Sequence, residues 1–524
     1  MTAVKRKVSL LVIAALVMSL LAACSGGAGG SQGGEAAPAN ETEAQEAPKA
    51  SEGETAEVVE LDMFVNHPWW PLKDWSGSVP EEITKRTGVK LNITVAADEQ
   101  QLPLMIASGD LPDLIFTASD IERLSNPKLT YAWDELIEQY APGFQPPQNL
   151  VGVNTAPDGK FYTLRNNFST QQEWEANQAA LPNGGGIAVR KDILEALGNP
   201  PLNTLQDLES VFAQVKQKYP DLVPLVSDKN WIGGYFAPQF GVVGKWYEDD
   251  GNIIHYLRQP ETLEFYKFMN RMYREGYMIA DNWTFKDDKV DDEFALSGKA
   301  FAIEHVVRVA DELNAALESQ GADYSFQMIT PEGDNPRIYN TGIGWSGVFI
   351  TKKNKDPEAS IKFMEFMFSD EGQRLGMWGV EGKDWTLHAE GYPEFQYDRS
   401  NADLMNQEGH NWWGLLSASA VTEGLGNYIP GKQLTTAAAF LKKHTEYKPE
   451  LGLLVTEPDS EEKAIETKLE DMITNERVKV YLAQSEEEAV QAYNSMLELA
   501  ERIGMSKLEG WANEKYATVK DYFK

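Results

Sequence analysis

The sequence predicts a mixed α/β protein built as two α/β lobes, and three observations support this fold class. From residue 59 onward, apolar alternation and helical segments follow one another in the order β-α-β-α-β. This order is typical of an open, mostly parallel sheet with helices on its faces. The same pattern restarts after the glycine run at 184–186. A chain of 524 residues is also long enough for two or three domains.

The first three strands are predicted from alternating apolar residues or from a short apolar run. Their ranges are 59–65, 89–95 and 113–116. A capping box at Ser78–Glu81 predicts the helix between the first two strands, and Gly88 should end it. A second helix is expected near 98–108, just before the third strand. Trp133 then begins a helical stripe that we assign to the core.

The remaining predicted elements lie on either side of the glycine run. Before it, Asp158-Gly159 should form a hairpin turn that leads to Phe161–Leu164. The later predicted elements are strands at 187–189, 299–303 and 348–350 and helices at 191–197, after the Thr204–Asp207 cap, and near 261–275. The last third of the chain is rich in helical periodicity. No internal repeat is present.

The N-terminus predicts export and a lipid anchor. Basic residues at 5–7 precede an apolar stretch at 8–20, which is shorter than the roughly 20 residues of a bilayer span. The segment Leu21–Cys24 resembles the lipobox of bacterial lipoproteins, in which the cysteine is acylated. We therefore expect a signal peptide at 1–23, a lipidated Cys24 on the extracellular face of the cell membrane, and an acidic tether over 24–57.

Composition excludes several classes of function. The formal net charge of −33 disfavours nucleic-acid binding, because the surface repels phosphate groups. The single cysteine rules out a disulfide framework and a cysteine-cluster metal site. We expect a monomer that reaches the membrane only through its lipid.

Several short segments, taken in order, resemble the extracellular solute-binding proteins of family 1. These are the substrate-capturing lipoproteins of ABC importers, and the likeness is to the Gram-positive oligosaccharide-binding type, similar to maltose- and alginate-binding proteins. The segments are Leu21–Cys24, Ser108–Ile115, Asp158–Tyr162, Val189–Asp192, Leu197-Gly198, Ser297–Ala300, Phe349–Lys352, Pro357-Glu358 and Gly379–Trp385. Each segment alone is weak evidence for the family, since most of its residues are typical of turns and helix caps.

The resemblance implies a two-lobed periplasmic-binding-protein-like fold of type II. Hinged lobes would close on a ligand in the cleft between them, and the C-terminal part would be helix-rich. We expect the first lobe to comprise 58–185 and about 298–345, and the second about 186–297 and 346–524. The implied function is non-enzymatic capture of a carbohydrate, in particular an oligosaccharide, for delivery to the permease subunits of an ABC transporter. No cofactor is implied; some relatives hold a structural calcium, and this sequence has no D-x-[DN]-x-[DN]-G calcium loop.

Tryptophans near strand ends are the main candidates for sugar contact. A flat indole buries the apolar face of a sugar ring, while carboxylates, amides and arginine bind its hydroxyl groups. The candidate ligand-binding residues are Trp69, Trp70, Asp113, Trp231, Trp283, His305, Arg308, Trp345, Glu381, Trp385, Trp412 and Trp413. For any one tryptophan, core packing is the alternative role. Asp113 could equally cap a turn, Arg308 form a surface ion pair, and Glu381 bridge the lobes.

Motifs for catalysis are weak or incomplete. The six histidines form no zinc-hydrolase motif, and the spacing Gly342-x-Gly344-x-x-Gly347 leads into a strand rather than the helix a dinucleotide site needs. Among the 80 acidic residues, however, some pair could lie at glycosidase spacing. Two alternatives therefore stay open: a secreted glycosidase or polysaccharide lyase, and a peptide- or metal-binding lipoprotein of the same fold.

Overall fold

The computed structural model describes residues 58–524 except 229–230, 286–288, 458, 522 and 524. The predicted signal peptide, the lipidated Cys24 and the tether lie outside the described residues. No helix within the described part combines the length and apolar character needed to cross a bilayer.

The strands alternate with helices along the chain, as the sequence predicts. The strands are β1 (Val59–Val65), β2 (Val89–Val95), β3 (Leu114–Thr117), β4 (Gly185–Arg190), β5 (Val223–Ser227), β6 (Trp246–Asp249), β7 (Asn252–His255), β8 (Ala300–Val306), β9 (Phe326–Ile329), β10 (Ile338–Asn340), β11 (Gly347–Ile350), β12 (Trp385–Leu387), β13 (Pro393–Phe395) and β14 (Thr445–Tyr447). The predicted ranges of the first two strands are confirmed, and the third begins one residue later than expected.

The helices become longer and more frequent towards the C-terminus. They are α1 (Ser78–Thr87), α2 (Gln101–Ser108), α3 (Ile121–Leu124), α4 (Trp133–Tyr140), α5 (Gln148–Asn154), α6 (Gln171–Ala176), α7 (Lys191–Ala196), α8 (Leu205–Lys218), α9 (Phe236–Gln239), α10 (Pro260–Arg274), α11 (Val290–Leu296), α12 (Val309–Gln320), α13 (Pro357–Phe368), α14 (Asp370–Trp378), α15 (Ala402–Glu408), α16 (Ala420–Gly426), α17 (Gln433–His444), α18 (Pro449–Gly452), α19 (Glu461–Tyr481), α20 (Glu486–Ile503) and α21 (Met505–Val519). The predicted helix-rich C-terminal part is confirmed.

Two four-stranded sheets organise the chain. The first has the order β11-β3-β1-β2, in which β1 pairs in parallel with both β2 and β3 while β11 runs antiparallel to β3. The second has the order β5-β8-β4-β9, in which β5 and β8 are parallel and β4 is antiparallel to both of its neighbours. Helices cover both sheets, which gives the predicted α/β class.

Sheet membership differs from the predicted division into lobes. Residues 298–345 were assigned to the first lobe, but β8 and β9 from this range pair with β4 in the second sheet. Likewise, β11 lies in the range assigned to the second lobe and pairs with β3 in the first sheet. These strands return to sheets begun far earlier in the chain, and the sequence carries no local mark of that return.

Local capping signals had mixed outcomes. Thr204 and Asp207 form the predicted reciprocal capping box at α8. At α1 the predicted capping box is absent: Gly77 is the N-cap residue, and the Ser78 amide donates to Glu408 Oε2 at 3.3 Å. A distant carboxylate thus replaces the local cap. The predicted hairpin turn at Asp158-Gly159 is present, since Thr155 and Phe161 form an antiparallel bridge across it, but residues 161–164 form no strand.

Each sheet has its own large apolar cluster. Trp133 is fully buried beneath the first sheet, as the helical stripe predicts, together with residues of β1, β2, β3 and β11. The second cluster joins β4, β5 and β8 to α8, α10 and the C-terminal helices α19, α20 and α21. The long C-terminal helices therefore complete the second core rather than forming a separate domain.

Candidate functional site

Two tryptophans that face solvent mark the candidate site. Trp69 is 48% exposed and Trp345 is 37% exposed, although the other tryptophans of the first core are mostly buried. Their rings stack with centroids 5.9 Å apart and planes inclined by 27°. Exposing two large indoles side by side costs solvation free energy in the unliganded protein. Paired, solvent-facing aromatic rings indicate a binding surface.

The fold brings these two side chains to one edge of the first sheet. Trp69 lies just beyond the carboxyl end of β1, and Trp345 lies two residues before β11. Because Gly347 of β11 pairs with Thr117 at the end of β3, the start of β11 lies at the same edge. The carboxyl edge of a parallel sheet is where α/β proteins place their ligands.

His67 fills the space beneath the two exposed rings. Its imidazole lies 5.0 Å from Trp69 and 4.9 Å from Trp345, centroid to centroid. Its Nε2 atom is 2.9 Å from Ser346 Oγ. Burial lowers the pKa of His67 to about 4, so the imidazole is neutral at neutral pH. Together with Trp412, whose ring is 6.2 Å from Trp69, these residues form what we term the aromatic platform: His67, Trp69, Trp345 and Trp412.

Acid is expected to destabilise the platform through His67. The unfolded chain binds a proton on this imidazole near pH 6.5, whereas the folded chain resists protonation down to about pH 4. The free energy of unfolding should therefore fall as the pH drops from 6.5 to 4, by at most about 3 kcal/mol. Urea unfolding of wild type and His67→Gln across this range measures the effect. A variant with the same pH slope as wild type would contradict the assignment.

Buried aromatic residues support the platform from below. Trp70 and Trp413 are almost fully buried, with ring centroids 5.8 Å apart, and Trp413 lies 4.5 Å from Trp75. Trp412 is fixed by a hydrogen bond of 2.8 Å from its Nε1 to Asn406 Oδ1. Five of the predicted site residues therefore come together here. They are Trp69, Trp70, Trp345, Trp412 and Trp413.

A single residue, Asn166, holds Trp345 in place. Asn166 accepts the Trp345 amide at its carbonyl oxygen (3.0 Å) and the Ser346 amide at its side-chain oxygen (2.9 Å). Its side-chain nitrogen donates to the Leu415 carbonyl. Asn166 is almost fully buried, so water does not compete for these hydrogen bonds. No motif in the sequence marks Asn166 for this role.

Gly344 allows the backbone turn that presents Trp345. Its φ of 100° lies in the region that favours glycine, and an added Cβ would overlap the Arg165 side chain and lie 3.0 Å from the Asn166 carbonyl oxygen. Gly344→Ala should lower the free energy of unfolding by at least about 1 kcal/mol. Gly391→Ala is the matched control, because Gly391 has φ 88° but open space around it. Urea unfolding should show the larger loss at Gly344; equal losses would exclude the steric contribution.

A cavity of about 330 Å³ is a second feature of the candidate site, and none of the four platform side chains lines it. Its lining includes chain connections between the two sheets, at 181–185 and 338–342, together with α16. Asn167 lines this cavity directly after Asn166, which holds Trp345. The lining carries many amide and hydroxyl side chains and one carboxylate. They are Asn167, Asn183, Asn340, Thr341, Glu423, Asn427 and Thr445.

Three predicted residues lie at the corresponding edge of the second sheet. Trp231 follows β5 and donates its amide to Asp228 Oδ1 at 3.1 Å. His305 lies at the end of β8, and Arg308 follows it, with its Nε 3.8 Å from Glu312 Oε1. These side chains occur at the carboxyl ends of the parallel pair β5 and β8. Among the described residues, no ring contact joins Trp231 to the aromatic platform.

The remaining predicted residues lie elsewhere. Trp283 packs against Tyr481 in the second core, and Trp385 is 1% exposed, with its Nε1 donating to the Gly379 carbonyl at 2.9 Å. Asp113 is buried and accepts the Asp62 amide, so it serves as a backbone cap. Glu381 is exposed beside the Trp385 strand. We leave Trp283, Trp385 and Asp113 out of the ligand surface proposed below.

A family model described as bacterial extracellular solute-binding protein matches residues 80–380. Three similar solved structures each align with 88% of this chain. These are alginate-binding protein AlgQ2 without calcium ion (16% identity, TM-score 0.65, 99% of that chain), the S. pneumoniae ABC-transporter substrate binding protein FusA in complex with kestose (17%, 0.66, 100%) and the N-glycan transport solute binding protein NgtS from Streptococcus pneumoniae (16%, 0.58, 99%).

Comparison with curated proteins gave no match. The similar structures share the two-lobed periplasmic-binding-protein-like fold, so the predicted fold class is confirmed. The matching family model covers more than half of the chain. The protein belongs to the bacterial extracellular solute-binding protein family.

Proposed function

We propose that this protein captures a carbohydrate, an oligosaccharide in particular, and delivers it unchanged to the permease of an ABC importer. The observation that carries the proposal is the solvent-facing stack of Trp69 on Trp345. Two adjoining indole faces suit the apolar faces of sugar rings. The amide- and hydroxyl-rich lining of the cavity of about 330 Å³ would supply hydrogen-bond partners for sugar hydroxyl groups.

The lobes of the proposed receptor are built around the two sheets. The first surrounds β11-β3-β1-β2 and carries the platform; the second surrounds β5-β8-β4-β9 and carries Trp231 and Arg308. Closure by hinge motion would bring both sheet edges onto the ligand. Only the closed form would contact the ligand from both sides, so binding would favour closure. Similar structures are bound to kestose or to Man5GlcNAc, which supports an oligosaccharide of several units.

We propose that Cys24 carries the lipid that keeps the receptor on the outer face of the cell membrane. The acidic tether that follows would let the folded part reach its ligand and the permease. Cys24→Ser should release the protein into the culture medium while leaving ligand affinity unchanged. Retention of the variant in the membrane fraction would contradict the anchor.

Incubation with a glycan panel tests the proposed function. The panel contains kestose, Man5GlcNAc and alginate oligosaccharides, each tested by calorimetry, thermal unfolding and chromatography of the glycan afterwards. A bound, intact glycan supports the proposal, with a stabilisation of about 2.7 kcal/mol at 100-fold excess over Kd. Cleaved glycan would instead support the glycosidase or lyase alternative. If a panel extended to the common glycan classes shows neither binding nor turnover, the carbohydrate assignment is wrong.

A further inference from the structure

Two aspartates and a histidine converge at the carboxyl edge of the second sheet. Asp228 directly follows β5, His305 is the penultimate residue of β8, and Asp291 lies in the first turn of α11. One ligand atom from each lies within 4.8 Å of the others. The strand pairing accounts for this, because Ser227 pairs with Glu304 and so places the next residues of β5 and β8 side by side.

Asp291 is the unusual member of this cluster. It is 1% exposed, and neither carboxylate oxygen has a hydrogen-bond partner among the described residues. A buried carboxylate normally has such partners, because leaving it without them is costly. Asp228 is also buried, at 2% exposure, and its charge is close by. The packing of the core does not explain why two carboxylates should be buried together.

We propose that Asp228, Asp291 and His305 bind one divalent transition-metal ion, with zinc as the preferred ion. A cation between the carboxylates would offset their burial and supply the partner that Asp291 lacks. The donor set selects the class of ion. Calcium and magnesium favour sites made only of oxygen atoms, whereas an imidazole nitrogen with two carboxylates suits zinc. Three protein ligands leave a fourth position for water.

Binding requires small side-chain movements. The ligand atoms around a tetrahedral zinc ion are roughly 3.3 Å apart. The ligand atoms of the three side chains lie within 4.8 Å of one another, so they must move closer together to bind the ion. His305 Nε2 already faces the cluster, 3.7 Å from Asp228 Oδ2. Its Nδ1 accepts the Val306 amide at 2.7 Å. Coordination through Nε2 places the ring proton on Nδ1, so the imidazole must turn away from this amide.

The site would hold the turn that carries Trp231. Asp228 binds the metal through one oxygen while its Oδ1 accepts the Trp231 amide. The neighbouring Glu304 accepts the amides of Gly233 at 3.1 Å and Tyr235 at 2.9 Å. A metal at this point would therefore fix the turn after β5 to β8. The role is structural and does not depend on the identity of the captured solute.

Zinc titration of the full chain after removal of metal by chelation tests the inference. We expect one zinc ion per chain by calorimetry and a raised melting temperature. Asp291→Asn should weaken zinc binding at least tenfold, yet the metal-free variant should melt no lower than wild type, because the replaced carboxyl group has no hydrogen-bond partner among the described residues. Glu293→Gln is the control, since this exposed carboxylate on the same helix should leave zinc affinity unchanged.

A second variant tests the same site if the first variant does not fold. His305→Gln should also weaken zinc binding at least tenfold, and it decides the question if Asp291→Asn does not fold. Absence of stoichiometric zinc binding in wild type would overturn the proposal. So would zinc affinity unchanged in both variants, or tight binding of calcium in place of zinc. A Trp69→Ala variant should bind zinc normally, which separates this site from the glycan platform.

Discussion

Replacing Trp345 with alanine is expected to weaken glycan binding by about thirtyfold or more. Aromatic residues at the centre of a binding surface commonly contribute at least ~2 kcal/mol, which corresponds to that loss in affinity. Trp345 is the ring that both Trp69 and His67 stack against, so its loss opens the platform at its centre. Calorimetry with the tightest-binding glycan of the panel measures the change.

Trp69→Ala should have a comparable effect, since it removes the other exposed face. Trp511→Phe is the matched control, because Trp511 packs against the second core, and this change also lowers the tryptophan content by one. Circular dichroism must show that each variant is folded. If both platform variants bind the glycan as wild type does, the platform is not the ligand surface, whereas loss in the control alone would indicate a different site.

Trp413→Ala should produce the largest loss of stability among the platform's supporting residues. The side chain is fully buried against Trp75 and Trp70, and its Nε1 has no hydrogen-bond partner among the described residues, so its contribution is packing alone. Truncation of a buried aromatic side chain to alanine costs about 3–5 kcal/mol. Urea unfolding gives the value directly. Trp413→Phe should cost clearly less, because most of the cavity stays filled.

Ligand affinity should fall along with stability in Trp413→Ala, even though this side chain does not reach the solvent. Its neighbour Trp70 lies between it and the exposed ring of Trp69, at 5.9 Å from the latter. A loss of less than 1 kcal/mol with unchanged affinity would contradict the supporting role.

Regular local signals predicted much of the fold. The alternation in β1 and β2 depends on neighbouring residues alone, and both ranges are as expected. The capping box at Thr204 is equally local and is confirmed. The cap at Ser78 was wrong because the competing acceptor, Glu408, lies 330 positions away in the chain. The sheet membership of β8 and β11 could not be predicted for the same reason, because it depends on distant pairing rather than on local pattern.

The candidate site was predictable only in part. Tryptophans near strand ends could be recognised, and five of them do meet at one edge of the first sheet. The sequence alone could not distinguish exposed indoles from buried ones. Trp385 is an example, because a hydrogen bond to the Gly379 carbonyl holds its ring in the core. His67 and Asn166 were missed entirely. Their roles depend on contacts with Ser346, which is 279 and 180 positions away.

The position of Asn166 has a consequence for biogenesis. Its side-chain amide accepts the Ser346 amide and donates to the Leu415 carbonyl, while its backbone carbonyl accepts the Trp345 amide. Segments from all three thirds of the polypeptide must therefore be in place before the indole is oriented. Such sequence-distant contacts form late, after the loops between them have closed. A chain that emerges from the secretion channel would thus acquire its affinity only once nearly all of it has arrived. Premature truncation products would lack the oriented platform.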